Sequence, residues 1–150
     1  MYPADGSTNI SKSDKPLGVV TGKVTRNNGV SKIGQALYKG YAGTVFEPAD
    51  EYKGDFARTY FYMATAYEHY KNVWDTTKPE NMMENNTYPV FKEWAIGLLL
   101  QWSRQDPVSQ KERTRNEKVF LIQGNRNPFI VYPELAEYIW GNKVGCVWGK

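Results

Sequence analysis

The sequence is poor in the residues from which most catalytic and metal centres are built. Cys146 is its one cysteine and His69 its one histidine. A single thiol excludes an internal disulfide and any zinc site resting on several thiolates. A single imidazole means that histidine catalysis within these residues must use His69. The longest apolar run, "AIGLLL", is six residues, against the roughly 20 needed to span a bilayer. The opening "MYPADGSTN" has neither a basic start nor an apolar stretch, so it is not a signal peptide. Charge of one sign is in small excess. A net +3 and a pI near 8.9 tolerate a polyanionic partner without the dense basic patch that would demand one. There is no internal repeat and no low-complexity segment.

What the chain has in plenty is aromatic side chains, 15% of its 150 residues, with 11 Tyr and 5 Trp. With 41% hydrophobic residues, that is enough to fold as one domain, residues 1–150, around a core of its own.

Residues 1–47 are rich in Gly, Ser, Asn and Lys, and β-prone pieces such as "GVVTGKV" and "GTVFEP" sit between turn signals such as "NNG". This predicts loops with a few short strands. The pattern changes at "EPADEYKGDFARTYFYMATAYEHY", where Phe56, Tyr60, Met63, Ala64 and Tyr67 recur at helical spacing and predict a helix from about Tyr52 to Tyr70. Residues 71–88, polar and broken by Pro79, read as a long loop. Pro89 then opens a second, central helix with Phe91, Trp94, Ala95, Leu98 and Trp102 on one face. Asp106 and Pro107 start a third, "PVSQKERTRNEKVFLIQ", whose polar beginning turns apolar at Val119, Phe120 and Ile122 and which stops at Gly124. A short fourth helix occupies "YPELAEYIWG". The tail is a small strand or irregular. The fold class is therefore α+β and mostly helical.

Four stretches invite a chemical reading, and each has a structural one beside it. His69 stands at the end of the first helix, where a cationic side chain complements the helix dipole. In "PADEYKGDFAR", Asp50, Glu51 and Asp55 favour the positive dipole end, while Arg58 has either a phosphate or a buried carboxylate as its natural partner. "SRQDPVSQKERTRNEK" gathers Arg104, Lys111, Arg113, Arg115 and Lys118, either a solvated helix face or a source of sequence-independent backbone contacts. In "QGNRNPF" the Asn side chains can satisfy loose backbone groups at a helix junction, or Arg126 can present its planar fork to an anion.

Taken together, "FEPADEYKGDFARTYFYMATAY", "WAIGLLLQWSRQDPVSQKERTRNEKVFLIQGNRNPF" and "PELAEYIWG" closely resemble the C-terminal part of the bacterial endonuclease I family. These are secreted or periplasmic nucleases with a ββα-metal, or His-Me finger, site. The resemblance implies a metal-dependent, largely non-specific endonuclease acting on nucleic acid, DNA and also RNA, with Mg²⁺ as cofactor and no membrane partner. It places Asn9 at the family's asparagine metal-ligand position, because Met1, Pro3, Gly6 and Asn9 fall in register with Leu-x-Pro-x-x-Gly-x-x-Asn. Arg58, Arg115 and Arg126 become candidates for phosphate or structural contacts. The family's general-base histidine and its acidic neighbour precede that asparagine by a few dozen residues, and His69 lies on the wrong side of it. The expectation is thus a chain that starts at an internal Met, without the general base, and so either part of a nuclease or a non-catalytic nucleic-acid-binding or scaffold remnant. Two departures accompany this. Trp102 is followed by Ser103 where the family usually has His, and "NPF" continues Ile130, Val131, Tyr132, Pro133 where it usually continues Ile-Asp-His-Pro.

Overall fold

Turn chemistry organises the first part of the chain. In the computed structural model, which describes residues 6–69, 78 and 80–149, three strands form an antiparallel sheet in the order β1 (Val24–Asn27), β2 (Lys32–Tyr38), β3 (Tyr41–Glu47). Asn28 closes the first hairpin, its side-chain oxygen accepting from Val30 N at 3.0 Å and Ser31 N at 2.7 Å, with Gly29 at φ 84°. Lys39 and Gly40 close the second beyond the Tyr38–Tyr41 pair, and Gly40 takes φ 93°, which glycine adopts without strain. Ile33, Ala36, Val45 and Phe46 are buried with Leu17.

A helix that the composition of residues 1–47 did not announce, α1 (Gly6–Lys12), precedes the sheet. It is tied to the sheet by side chains rather than by an apolar stripe. Arg26 Nη1 donates to Ser11 Oγ at 2.7 Å and Nη2 to Ser7 Oγ at 2.6 Å, and Asn28 Nδ2 donates to Thr8 Oγ1 at 3.0 Å.

The described residues divide into two compact units, the first comprising 6–49, 78 and 80–82, the second 50–69 and 83–149. In the second, α2 (Asp50–Ala66) packs on α3 (Glu93–Gln105), followed by α4 (Gln110–Gln123), α5 (Pro128–Val131) and α6 (Leu135–Ile139). The predicted central helix is central. Trp94, Ala95, Leu98, Leu99, Leu100 and Trp102 are all buried, and the rings of Phe61, Phe91, Phe129 and Trp140 cluster with centroids 5.0–6.3 Å apart. Its start lies later than predicted. Pro89 does not open it, because Val90 sits at φ 73°, outside the right-handed helical region, and the helix begins at Glu93.

The α2 stripe is also rotated from the predicted one. Met63 and Tyr67 are exposed, and the buried face runs through Gly54, Ala57, Arg58, Phe61 and Ala64. The helix turns because it must bury a charged group, as described below. Its predicted end at Tyr70 and much of the predicted 71–88 loop lie outside the described residues.

Candidate nucleic-acid interface

Helix α4 is assembled in reverse of the usual amphipathic order. Its buried residues are Glu112 and Asn116, whereas Leu121 and Ile122 are 82% and 88% exposed. The reason lies in α2. Arg58 is wholly buried, and its Nε donates to both Glu112 carboxylate oxygens at 2.8 and 3.0 Å while Nη2 reaches Glu112 Oε2 at 2.7 Å. Its Nη1 donates to the Asp106 carbonyl at 2.8 Å, and Nη2 lies 3.4 Å from Asp55 Oδ1. A buried guanidinium needs such compensation, because an unpaired charge in low dielectric costs several kcal/mol. Burial first, and then the neighbouring Glu112 carboxylate, push the Asp55 carboxyl up to about 6 against the opposing pull of Arg58.

This engagement explains how α4 starts. Asp106 is not its cap, because the Asp106 carboxylate accepts from Gly54 N at 2.8 Å while its carbonyl serves Arg58. Ser109 caps instead, accepting from Glu112 N at 3.1 Å. A Cβ at Gly54 would collide with the Asp106 carbonyl oxygen and come within 2.8 Å of Arg58 Nη1 and Nη2, so the close approach requires glycine.

The "GNRNPF" junction continues the same network. Gly124 ends α4 at φ 80°, as predicted. Asn127 caps α5 by accepting from Phe129 N at 2.9 Å, donates its amide to the Arg58 carbonyl at 3.0 Å, and donates its backbone N–H to Asn116 Oδ1 at 2.9 Å. Of the two readings of this stretch, the structural brace describes Asn127.

The basic residues of the region are sorted by this framework. Arg58, given as a phosphate or buried-carboxylate contact, has no exposed surface, so the carboxylate is its partner and a strand has no access to it. Arg104 makes a two-bond contact with Glu137 at 2.7 and 2.8 Å, and Lys111 donates to Tyr52 Oη at 2.9 Å. Arg115 is half-buried and engaged in an interaction of its own. Arg126 is exposed. Two parallel bonds of 2.8 Å join it to Glu117, and its guanidinium carbon lies 3.6 Å from the centre of the Phe120 ring. The paired guanidinium holds the Glu117 carboxyl below its usual range. Arg113 and Lys118 are exposed and form no ion pair or hydrogen bond through their side chains among the described residues. Arg113, Asn116, Glu117, Arg126, Ile130 and Val131 line a cleft of about 440 Å³. In the sequence Arg113 is only one charge in a run, and nothing there marks Asn116.

Asn9 is exposed on α1, in the other unit, and His69 is exposed beyond the end of α2. Among the described residues no group of three or more His, Cys, Asp or Glu is placed to hold a metal ion. A Mg²⁺ site calls for an octahedral set of oxygens, so one amide oxygen does not make one, and the described residues by themselves do not fit the cofactor. No described helix is long and apolar enough to cross a membrane.

Comparison with known proteins bears on this arrangement. The pattern of the family described as Endonuclease I matches residues 1–134. The chain is 37% identical over 139 residues to a protein named extracellular ribonuclease from Bacillus amyloliquefaciens, covering 92% of this chain and 47% of that one. It is 35% identical over 139 residues, with the same coverage, to an extracellular ribonuclease of Bacillus subtilis (strain 168). It is 28% identical over 131 residues to Endonuclease-1 of Buchnera aphidicola, covering 87% of this chain and 42% of that one. The chain thus spans about half the length of the curated relatives it matches. No solved structure matches it at comparable significance.

Proposed function

The chain belongs to the endonuclease I family, and from that premise we propose that it serves the hydrolysis of phosphodiester bonds in nucleic acid by a secreted, divalent-metal-dependent endonuclease. The observation that carries this reading is the family match over residues 1–134, which includes both Asn9 and the braced α4–α5 junction. Relatives named ribonucleases make RNA a substrate to test beside DNA, and relatives named extracellular support secretion.

Asn9 would offer one amide oxygen to a divalent metal held mainly by groups outside the described residues, and such a metal would supply charge neutralisation at the phosphate. The site is completed only by groups other than the described ones. The second unit supplies a rigid frame. Arg58, Glu112 and Asn127 fix α2, α4 and α5 together, and Arg115 and Arg126 stand on or beside α4 where cations add sequence-independent attraction for the phosphate backbone. With His69 the one histidine, and placed away from Asn9 in sequence, the 150 residues lack the general base of the family reading.

The test is a chimera. The segment of the Bacillus amyloliquefaciens ribonuclease that lies ahead of the matched region is fused before Met1. The fusion is expected to cleave labelled RNA or plasmid DNA with Mg²⁺, to stop with EDTA, and to lose most activity on Asn9→Ala. An active fusion indifferent to Asn9→Ala removes Asn9 from the metal site, and an inactive but folded fusion removes the nuclease reading. The second reading, a non-catalytic nucleic-acid-binding remnant, rests on the exposed cations Arg113, Lys118 and Arg126 on and beside α4. It predicts the inactive fusion together with salt-sensitive strand binding.

A further inference from the structure

The cleft between α4 and α5 presents hydrogen-bond donors with almost nothing to receive from them. Arg113 brings a whole guanidinium that bonds to no described residue. Arg126 uses Nε and Nη2 on Glu117, leaving Nη1 uncommitted, and its plane is held in place by that two-bond contact and by Phe120. Asn116, itself only 6% exposed, accepts from Asn127 N through Oδ1, and its amide nitrogen donates to no described group. Asn116 is one of the residues that line the cleft. The one carboxylate in the lining, Glu117, is already neutralised by Arg126. Ile130 and Val131 add an apolar surface beside these donors.

Donors from two guanidiniums and an amide suit a tetrahedral oxyanion, and guanidinium forks match its geometry. The apolar side accommodates a sugar or base edge, and a volume of about 440 Å³ lies within the range of small-ligand clefts. Preorganisation strengthens the case. Arg126 loses little rotamer freedom on binding because Glu117 and Phe120 already hold it, and Asn116 is fixed by the α5 cap.

We propose that this cleft is a phosphate subsite for the nucleic-acid strand, with Arg113 as the principal phosphate contact, Arg126 Nη1 and Asn116 Nδ2 as accessory donors, and the sugar face against Ile130 and Val131. The proposal rests on the nucleic-acid reading of the preceding subsection and adds a grip remote in sequence from Asn9. Arg113 is a binding residue here and plays no part in bond cleavage.

The experiment uses the 150-residue chain and fluorescein-labelled 20-nucleotide RNA and DNA, with dissociation constants from anisotropy between 50 and 200 mM KCl. Arg113→Ala is expected to weaken binding about tenfold at the lowest salt, the effect of one charge-assisted hydrogen bond, and to flatten the salt slope by about 0.7. Because the Arg113 side chain has no partner among the described residues, the melting temperature of Arg113→Ala is expected to match wild type. Lys118→Ala removes another exposed charge from the same helix outside the cleft and is expected to change affinity less than about twofold. Equal losses for the two variants overturn the proposal in favour of diffuse attraction. Wild-type binding that Arg113→Ala leaves unchanged overturns it while the nuclease reading stands. No strand binding by wild type overturns the subsite and leaves the chimera to decide the nuclease reading. Titration with inorganic phosphate or AMP, followed through the Arg Nε–H NMR signals, separates the sources of the anion. Shifts at Arg113 and Arg126 with the strand and with AMP support the proposal. Shifts with inorganic phosphate and none with the strand overturn it.

Discussion

Replacing Arg58 by Met keeps an unbranched, apolar stem but removes the guanidinium, and leaves Glu112 and Asp55 buried side by side without a cation. It also removes the donor to the Asp106 carbonyl. Removing one partner of a buried, hydrogen-bonded ion pair costs about 3–5 kcal/mol. The Asp106 contact adds about 1 kcal/mol at most, because the losses share one network and do not simply sum. Against the 5–15 kcal/mol typical of a folded domain, Arg58→Met is expected to leave the second unit marginal. The cost depends on pH. Without Arg58 the Asp55 carboxyl loses the cation that pulls it down and titrates in the fold still further above its unfolded value near 3.9. Protonation in the folded state therefore relieves the penalty at low pH, and the penalty returns as pH rises through the folded value. Urea unfolding followed by tryptophan fluorescence should show the full deficit at pH 7.5 and a smaller one at pH 4.5. Adding Glu112→Leu to Arg58→Met should restore at least about half of it, since an apolar replacement of the whole pair is often near neutral. A deficit below about 1 kcal/mol, or one independent of pH, refutes the reasoning.

Asp55 gives a related effect in the unmodified protein. With a folded value of about 6 and an unfolded one near 3.9, its protonated form is favoured by folding. Its contribution is complete below pH 4, is lost as pH rises to about 6, and is constant beyond. The difference between wild type and Asp55→Asn in urea midpoint should follow that window, and a flat difference from pH 3 to 8 excludes it. Gly54→Ala, ordinarily favourable in a helix, should destabilise by about 1–3 kcal/mol because its methyl group meets the Asp106 carbonyl and the Arg58 guanidinium; an increase in melting temperature contradicts this. Leu121→Ser with Ile122→Ser should change stability by less than about 0.5 kcal/mol, since both side chains are exposed. A loss above 2 kcal/mol in urea unfolding means that α4 is turned the other way.

The parts of the fold written in periodicity and turn chemistry were legible. The buried face of α3, the Gly124 stop and the strands around "NNG" followed from spacing and from residues with special backbone preferences. The parts governed by a buried charge were not. Periodicity assumes that apolar residues face inward. In α2 the core face contains Arg58, and in α4 it contains Glu112 and Asn116, so the predicted apolar positions Met63, Tyr67 and Ile122 face solvent. The signal was the S-x-x-E spacing of Ser109 and Glu112, which marks a helix start three residues later than Asp106 does. Helix α1 was missed because Ser and Asn are weak helix formers, and its stability comes from Arg26 and Asn28, which are distant in sequence. The candidate site was legible where it depended on the family pattern, as at Asn9. It was illegible where it depended on which cations are paired, since Arg113 differs from Arg104 and Lys111 in having no side-chain partner among the described residues.

The most direct measurement is to incubate the 150-residue chain with end-labelled RNA and DNA and Mg²⁺, recording binding by anisotropy and products on a denaturing gel in the same samples. The expected result is binding of at least one strand type, weakening steeply between 50 and 200 mM salt, with the strands left intact. EDTA-sensitive cleavage by these residues alone would mean that the water-activating group lies among them after all, and absence of any salt-dependent binding would remove nucleic acid as the ligand of this chain.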